Sequence, residues 1–101
     1  DFGFARVFER QVQALGRPGD VLVAISTSGH SENTLCALNY ASAHGIHTIA
    51  LTGATGGNMA AAAEIAIRIP SVSTQHIQEA HIAVGHILCA IVERSLFPEA
   101  M

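Results

Sequence analysis

Positive charge is scarce in this chain. Lys and Arg together supply five residues against eight Asp and Glu, for a formal net charge of −3. A nucleic acid would find no basic patch, which excludes DNA and RNA as direct ligands. Long hydrophobic runs are also missing. The apolar stretches are broken by His, Ser, Thr or Gly well short of the ~20 residues that a membrane span needs. Asp1-Phe2-Gly3-Phe4 has no basic start, no signal-peptide core and no initiator Met, as expected of a fragment. The two cysteines, Cys36 and Cys89, form no CxxC pair and stand in apolar surroundings. That predicts buried, reduced thiols and a cytoplasmic protein.

What is present suits a packed core. Half of the 101 residues are hydrophobic, only 13% are charged, and the length allows one small domain. Phe4, Val7, Phe8, Val12 and Leu15 have helical spacing within residues 2–15, and Gly16 and Pro18-Gly19 end that helix. Val21-Leu22-Val23-Ala24-Ile25 is a short continuous apolar run, which predicts a strand buried on both faces. A helix follows from Glu32 to His44, burying Leu35, Leu38 and Ala41. Ile46 to Leu51 is a second strand, Asn58 to Ala63 a short Ala-rich helix, and Ile65 to Ile69 a third strand stopped by Pro70. Ser71 or Ser73 is placed to cap a long last helix reaching Leu96, with an apolar stripe of Ile77, Val84, Leu88 and Ile91. The order αβαβαβα implies βαβ units and a parallel sheet flanked by helices. Three parallel strands make a thin sheet, so further strands or another chain are expected to cover it.

Ligands of open parallel sheets sit beyond the carboxyl ends of the strands. Ser26-Thr27-Ser28-Gly29-His30-Ser31 falls there, with four hydroxyls in six residues at a helix N-terminus. This is an anion cradle of neutral donors, suited to a phosphomonoester. The same residues also suit plain turn and capping roles. Neither a GxxxxGKS/T phosphate loop nor GxGxxG occurs. The small-residue loop Thr52 to Gly57 is less specific and also reads as a tight chain reversal.

Polar residues crowd the start and middle of the last helix. His76, His81 and His86 are each five residues apart, or ~140° around a helix, so they cannot share a face as a three-histidine metal site. HExxH is absent. Gln78 and His86 lie ~80° apart in azimuth and ~12 Å along the axis, close enough to border one small substrate. His86 then suits general acid–base work, and equally a core histidine bonded to a neighbour.

Gly19 to Ser31, Ala50-Leu51-Thr52-Gly53, Gly56-Gly57, Met59-Ala60 and Ile65 to Pro70 together resemble a sugar isomerase (SIS) domain. Ile77-Gln78-Glu79-Ala80-His81 followed by His86-Ile87-Leu88 is the most diagnostic piece, and the ordered set is similar to the phosphoheptose isomerase family, in its C-terminal part. The resemblance implies a three-layer α/β SIS-type fold, here truncated to about three strands. It implies conversion of sedoheptulose 7-phosphate to D-glycero-D-manno-heptose 7-phosphate through an enediol or enediolate, on the route to lipopolysaccharide heptose, by a homotetramer. Ser26, Thr27, Ser28 and Ser31 would bind the phosphate, Gln78 would contact sugar or metal, and His86 matches the catalytic histidine. Some members bind zinc, and Gln78 and His86 match two of its ligands.

The chain departs from the family at His30 (usually Asn), at Thr55 (usually Asp) and at Gln75-His76 (usually Asp-Arg). Gln75 can hydrogen-bond a sugar hydroxyl but cannot act as a carboxylate base, and these changes bear on the exact sugar. Family members are nearly twice as long. The half not matched carries a helical hairpin, a first strand and a catalytic glutamate, so this chain alone is expected to be a poor enzyme. The alternatives are a non-enzymatic SIS protein that binds a replication initiator, and a phosphosugar-sensing module. The helix tail Ile87 to Val92, then Leu96-Phe97, is apolar nearly all round and predicts an oligomer interface or internal packing.

Overall fold

A computed structural model describes residues 3–100. The first expected helix starts as a 3-10 turn over Phe4–Arg6 and continues as α1 (Val7–Leu15); Asp1 and Phe2 lie outside the described residues. Then follow β1 (Val21–Ile25), α2 (Glu32–Ala43), β2 (His47–Thr52), α3 (Gly57–Ala62), β3 (Ile65–Arg68) and α4 (Thr74–Leu96), with a closing 3-10 turn over Pro98–Ala100. The strands pair in parallel in the order β1-β2-β3, with Val21 opposite His47, Ile25 opposite Leu51 and Thr52 opposite Arg68. The expected α/β arrangement, a parallel sheet flanked by helices, is therefore present. All three strands end at the same edge, where the candidate loops emerge.

Side chains alternate across a strand, and the two faces of this sheet have different fates. On one face, Leu38 of α2 and Met59 of α3 close over Ala24 and Ala50, with Leu22, Leu35 and Ala63 packed around them. Small residues on the strands let these helices approach closely. On the other face, Val21, Val23 and Ile25 of β1 and Ile65 of β3 are exposed. The expectation that β1 is buried on both faces is thus corrected. It is an edge strand, and α1 packs on α2 rather than over it. An apolar groove of about 500 Å³ runs along it, walled by Phe8, Val12, Leu15 and the strand.

The last helix follows the same pattern. Only Ile77 and His81 of α4 are buried, and the helix packs on β2. Of its expected apolar stripe, Val84 and Leu88 are half-buried and Ile91 is exposed. Cys89 is exposed and Cys36 half-buried, which corrects the expectation of two buried thiols. Cys89 lies on the part of α4 that runs past the sheet. Ser73 occupies the N-cap position without making the capping bond, and Ser71 Oγ instead accepts the N–H of Ser73. The accessible surface is 6483 Å². A monomer of this mass is expected to expose about 5,400 Å². The excess is consistent with the bare sheet face and the projecting helix. Among the described residues, no helix is long and apolar enough to cross a membrane.

If the core sits where described, Leu38→Ala should cost about 2–5 kcal/mol in urea unfolding, whereas Val72→Ala at an exposed site should stay within about 0.5 kcal/mol. Equal losses would contradict this placement.

Candidate functional site

The loop after β1 is held by its own hydroxyls. Ser26 is buried, and its Oγ lies 2.7 Å from Ser31 Oγ and accepts the N–H of Gly29 at 3.2 Å. Ser28 Oγ accepts the N–H of His30 at 3.1 Å. Ser31 stands at the N-cap of α2, yet its side chain makes no capping bond because it turns back to Ser26. The helix start is therefore left without a capping hydroxyl. Asn33 Oδ1 accepts the Thr34 N–H at 2.8 Å, and among the described residues no side chain caps the Glu32 and Asn33 N–H groups, which can meet an anion.

A second loop backs the first. Gly53 N–H donates to Thr27 O at 3.0 Å, and Met59 N–H donates to Gly29 O at 3.0 Å. Gly29 and Gly57 both have positive φ, and their backbones meet almost in contact. A Cβ on Gly29 would stand 2.1 Å from Gly56 O, and one on Gly57 would stand 2.5 Å from Gly29 O. The Thr52–Gly57 loop thus does more than reverse the chain. It is the rear support of the serine loop.

Facing this pair of loops is the first half of α4. An open cleft of about 540 Å³ is lined by Ile25, Ser26, Thr27 and Ser31 on one side and by Gln78, His81, Ile82 and Gly85 on the other. The four α4 residues follow i, i+3, i+4, i+7 spacing, so one helix face forms the wall. Thr27 also borders a smaller cleft of about 220 Å³, with Ser28, Thr55, Ser71 and Ile77 among its lining.

The structure therefore gathers Ser26, Thr27, Ser31 and Gln78 around one space. It does not bring Gln75 or His86 into the lining of either cleft; both are exposed on α4. His86 comes one residue after Gly85 and stands about 90° from the centre of the cleft-facing stripe. Gln78 and His86 offer two donors to a metal. A zinc site takes three or four protein ligands. No group of three or more His, Cys, Asp or Glu among the described residues could hold a metal ion. The residues of this chain do not by themselves fit zinc.

His81 was not singled out as a site residue, although its i+3 spacing from Gln78 could have flagged it. It is 4% exposed, and its Nε2 lies 2.9 Å from Thr52 O at the end of β2. This bond ties the cleft-facing part of α4 to the sheet.

Comparisons with known proteins agree with the α/β fold. The SIS domain family model matches residues 5–91. The phosphoheptose isomerase of Rhodospirillum rubrum is 56% identical over 96 residues, which is 95% of this chain and 51% of that protein. That of Akkermansia muciniphila is 50% identical over 97 residues, 96% of this chain and 51% of the relative. The solved phosphoheptose isomerase of Neisseria gonorrhoeae superposes with a TM-score of 0.87 at 46% identity, over 92% of this chain and 52% of that one. The chain spans about half the length of the curated relatives it matches.

The two-loop contact generates a matched test. Gly19 and Gly29 both have positive φ, but a Cβ on Gly19 would meet nothing within 4 Å. Gly19→Ala should cost about 1–2 kcal/mol in urea unfolding. Gly29→Ala should cost clearly more, about 3 kcal/mol or above, because backbone must move. Similar losses would mean that the loops are not locked together.

Proposed function

Since the chain belongs to the SIS domain family, we propose that it is the phosphosugar-holding part of a cytoplasmic phosphoheptose isomerase, acting on sedoheptulose 7-phosphate. The observation that carries this reading is the cleft with Ser26, Thr27 and Ser31 on one wall and Gln78 on the other. The phosphate sits against the serine loop and the start of α2, where neutral hydroxyls and amides donate to its oxygens. The sugar then extends toward α4, where Gln78 contacts it; Gln75, exposed at the helix start outside both clefts, meets a hydroxyl only when the rest of a complete site encloses it.

Isomerisation moves a proton between adjacent carbons through an enediol or enediolate, and it needs two acid–base groups. His86 is the one proposed from this chain. It stands on the exposed flank of α4, so it acts only when the rest of a complete site encloses that flank. The second group, a glutamate in the family pattern, comes from outside the chain. Binding and turnover are thereby separated: this chain holds the phosphate, and the assembled enzyme does the chemistry.

The exposed apolar residues of α4, Ile87, Ile91, Val92 and Leu96, with Phe97 after it, support a homo-oligomer, proposed as a tetramer. Burying such side chains between subunits removes apolar surface that otherwise faces water. In sedimentation velocity an oligomer should appear, and Ile91→Asp should shift it to lower mass. A monodisperse monomer before substitution would overturn the interface.

The enzymatic reading is tested by assaying sedoheptulose 7-phosphate isomerisation by this chain beside a version extended at its N-terminus to the length of its relatives. Turnover is expected only in the longer protein, and His86→Ala there should lower kcat by at least about 100-fold. Sugar phosphate binding without turnover in either protein would favour a non-enzymatic SIS protein instead.

A further inference from the structure

His81 carries a feature that anchoring alone does not require. A carbonyl oxygen only accepts, so the 2.9 Å contact with Thr52 O fixes the proton of the neutral ring on Nε2. Nδ1 is then a bare acceptor. It is buried, and no group among the described residues donates to it. Leaving a buried acceptor unmatched is unfavourable, so a partner that completes it is called for.

The surroundings say what kind of ligand. His81 belongs to the α4 wall of the same cleft that Ser26, Thr27 and Ser31 line from the other side. The serine wall presents hydroxyls that can donate to an anion. Behind the α4 wall, at the buried Nδ1, lies a group that can only accept. A molecule that completes both must offer oxygens at one end and an O–H at the other. Helical side chains lean toward the preceding turn, so the ring lies over the turn that carries Ile77 and Gln78. Gln78 and Ile82, on the same helix face, are exposed, so a ligand can displace them without disturbing the core.

We propose that Nδ1 of His81 accepts a hydrogen bond from a hydroxyl of the bound sugar and so sets the sugar's direction in the cleft. This rests on the reading of the cleft as a phosphosugar site. The Nε2–H bond to Thr52 holds the imidazole in the tautomer that leaves Nδ1 as the acceptor, and the phosphate at the serine loop fixes the other end. His81 is thus a substrate-binding residue that also joins the cleft wall to the strand end.

Nitrogen NMR of the 101-residue chain with labelled histidine, titrated in parallel with inorganic phosphate and with sedoheptulose 7-phosphate, tests this. In the free chain Nδ1 should be unprotonated and Nε2 protonated. Both ligands should shift the amides of Ser26 to Ser31, but only the sugar phosphate should shift Nδ1. His81→Gln keeps a donor that can reach Thr52 O but moves the acceptor off the Nδ1 position, because its carbonyl oxygen branches from the same carbon as the donating nitrogen. It should bind inorganic phosphate as before and sedoheptulose 7-phosphate roughly three- to tenfold more weakly. A protonated Nδ1 in the free chain would overturn the inference. So would loop shifts with sugar phosphate that leave Nδ1 unmoved, or unchanged sugar phosphate binding by His81→Gln; the phosphosugar reading would survive either. Loop amides unmoved by both ligands would sink that reading and this inference with it.

Discussion

The near-contact of two backbone turns at the carboxyl edge of the sheet is the constraint on which the site depends. Gly29 and Gly57 approach so closely that neither position has room for a side chain. The hydrogen bonds from Gly53 to Thr27 and from Met59 to Gly29 fasten the same two loops. Because the serine loop is braced from behind, its hydroxyls can bond to one another and still face the cleft. A loop that had to order itself around a phosphate would lose affinity to that ordering. Here much of the ordering is already done by the fold.

The rest of the molecule is built around that edge with unequal care. One sheet face is closed by α2 and α3, while the other leaves β1 and β3 bare. The long helix α4 is buried at only two residues, Ile77 and His81. Both lie in its first half, beside the cleft. Beyond them the helix projects, carrying apolar side chains into water. Such a design is economical only if other protein covers those surfaces, which agrees with a chain that spans about half of its relatives.

Much of the architecture was legible in the sequence because the signals were local. Five consecutive apolar residues after Pro18-Gly19-Asp20 mark β1, and the serine-rich loop marks the turn into α2. The departures have a common physical origin. An apolar run reports that a strand is suited to burial on both faces, but not whether the covering elements are present. So β1 was expected to be covered and is not, and Cys89 was expected to be buried and is exposed. The site was legible where it is contiguous, at Ser26 to Ser31. It was less so on α4, where small differences in azimuth decide which residue faces the cleft. Gln78 points there, whereas His86, one step past Gly85, does not line it. The buried role of His81 was hidden because its partner, Thr52 O, is backbone and leaves no mark in side-chain pattern.

The account places an anion at one wall of the cleft and a polyol at the other. Its most direct test is a crystal structure of the chain with sedoheptulose 7-phosphate. The account predicts the phosphate against Ser26, Thr27 and Ser31 at the start of α2, with the sugar directed along the Gln78–Gly85 face of α4. A phosphate bound in the apolar groove beside β1, or a sugar reversed so that its phosphate meets His81, would contradict it.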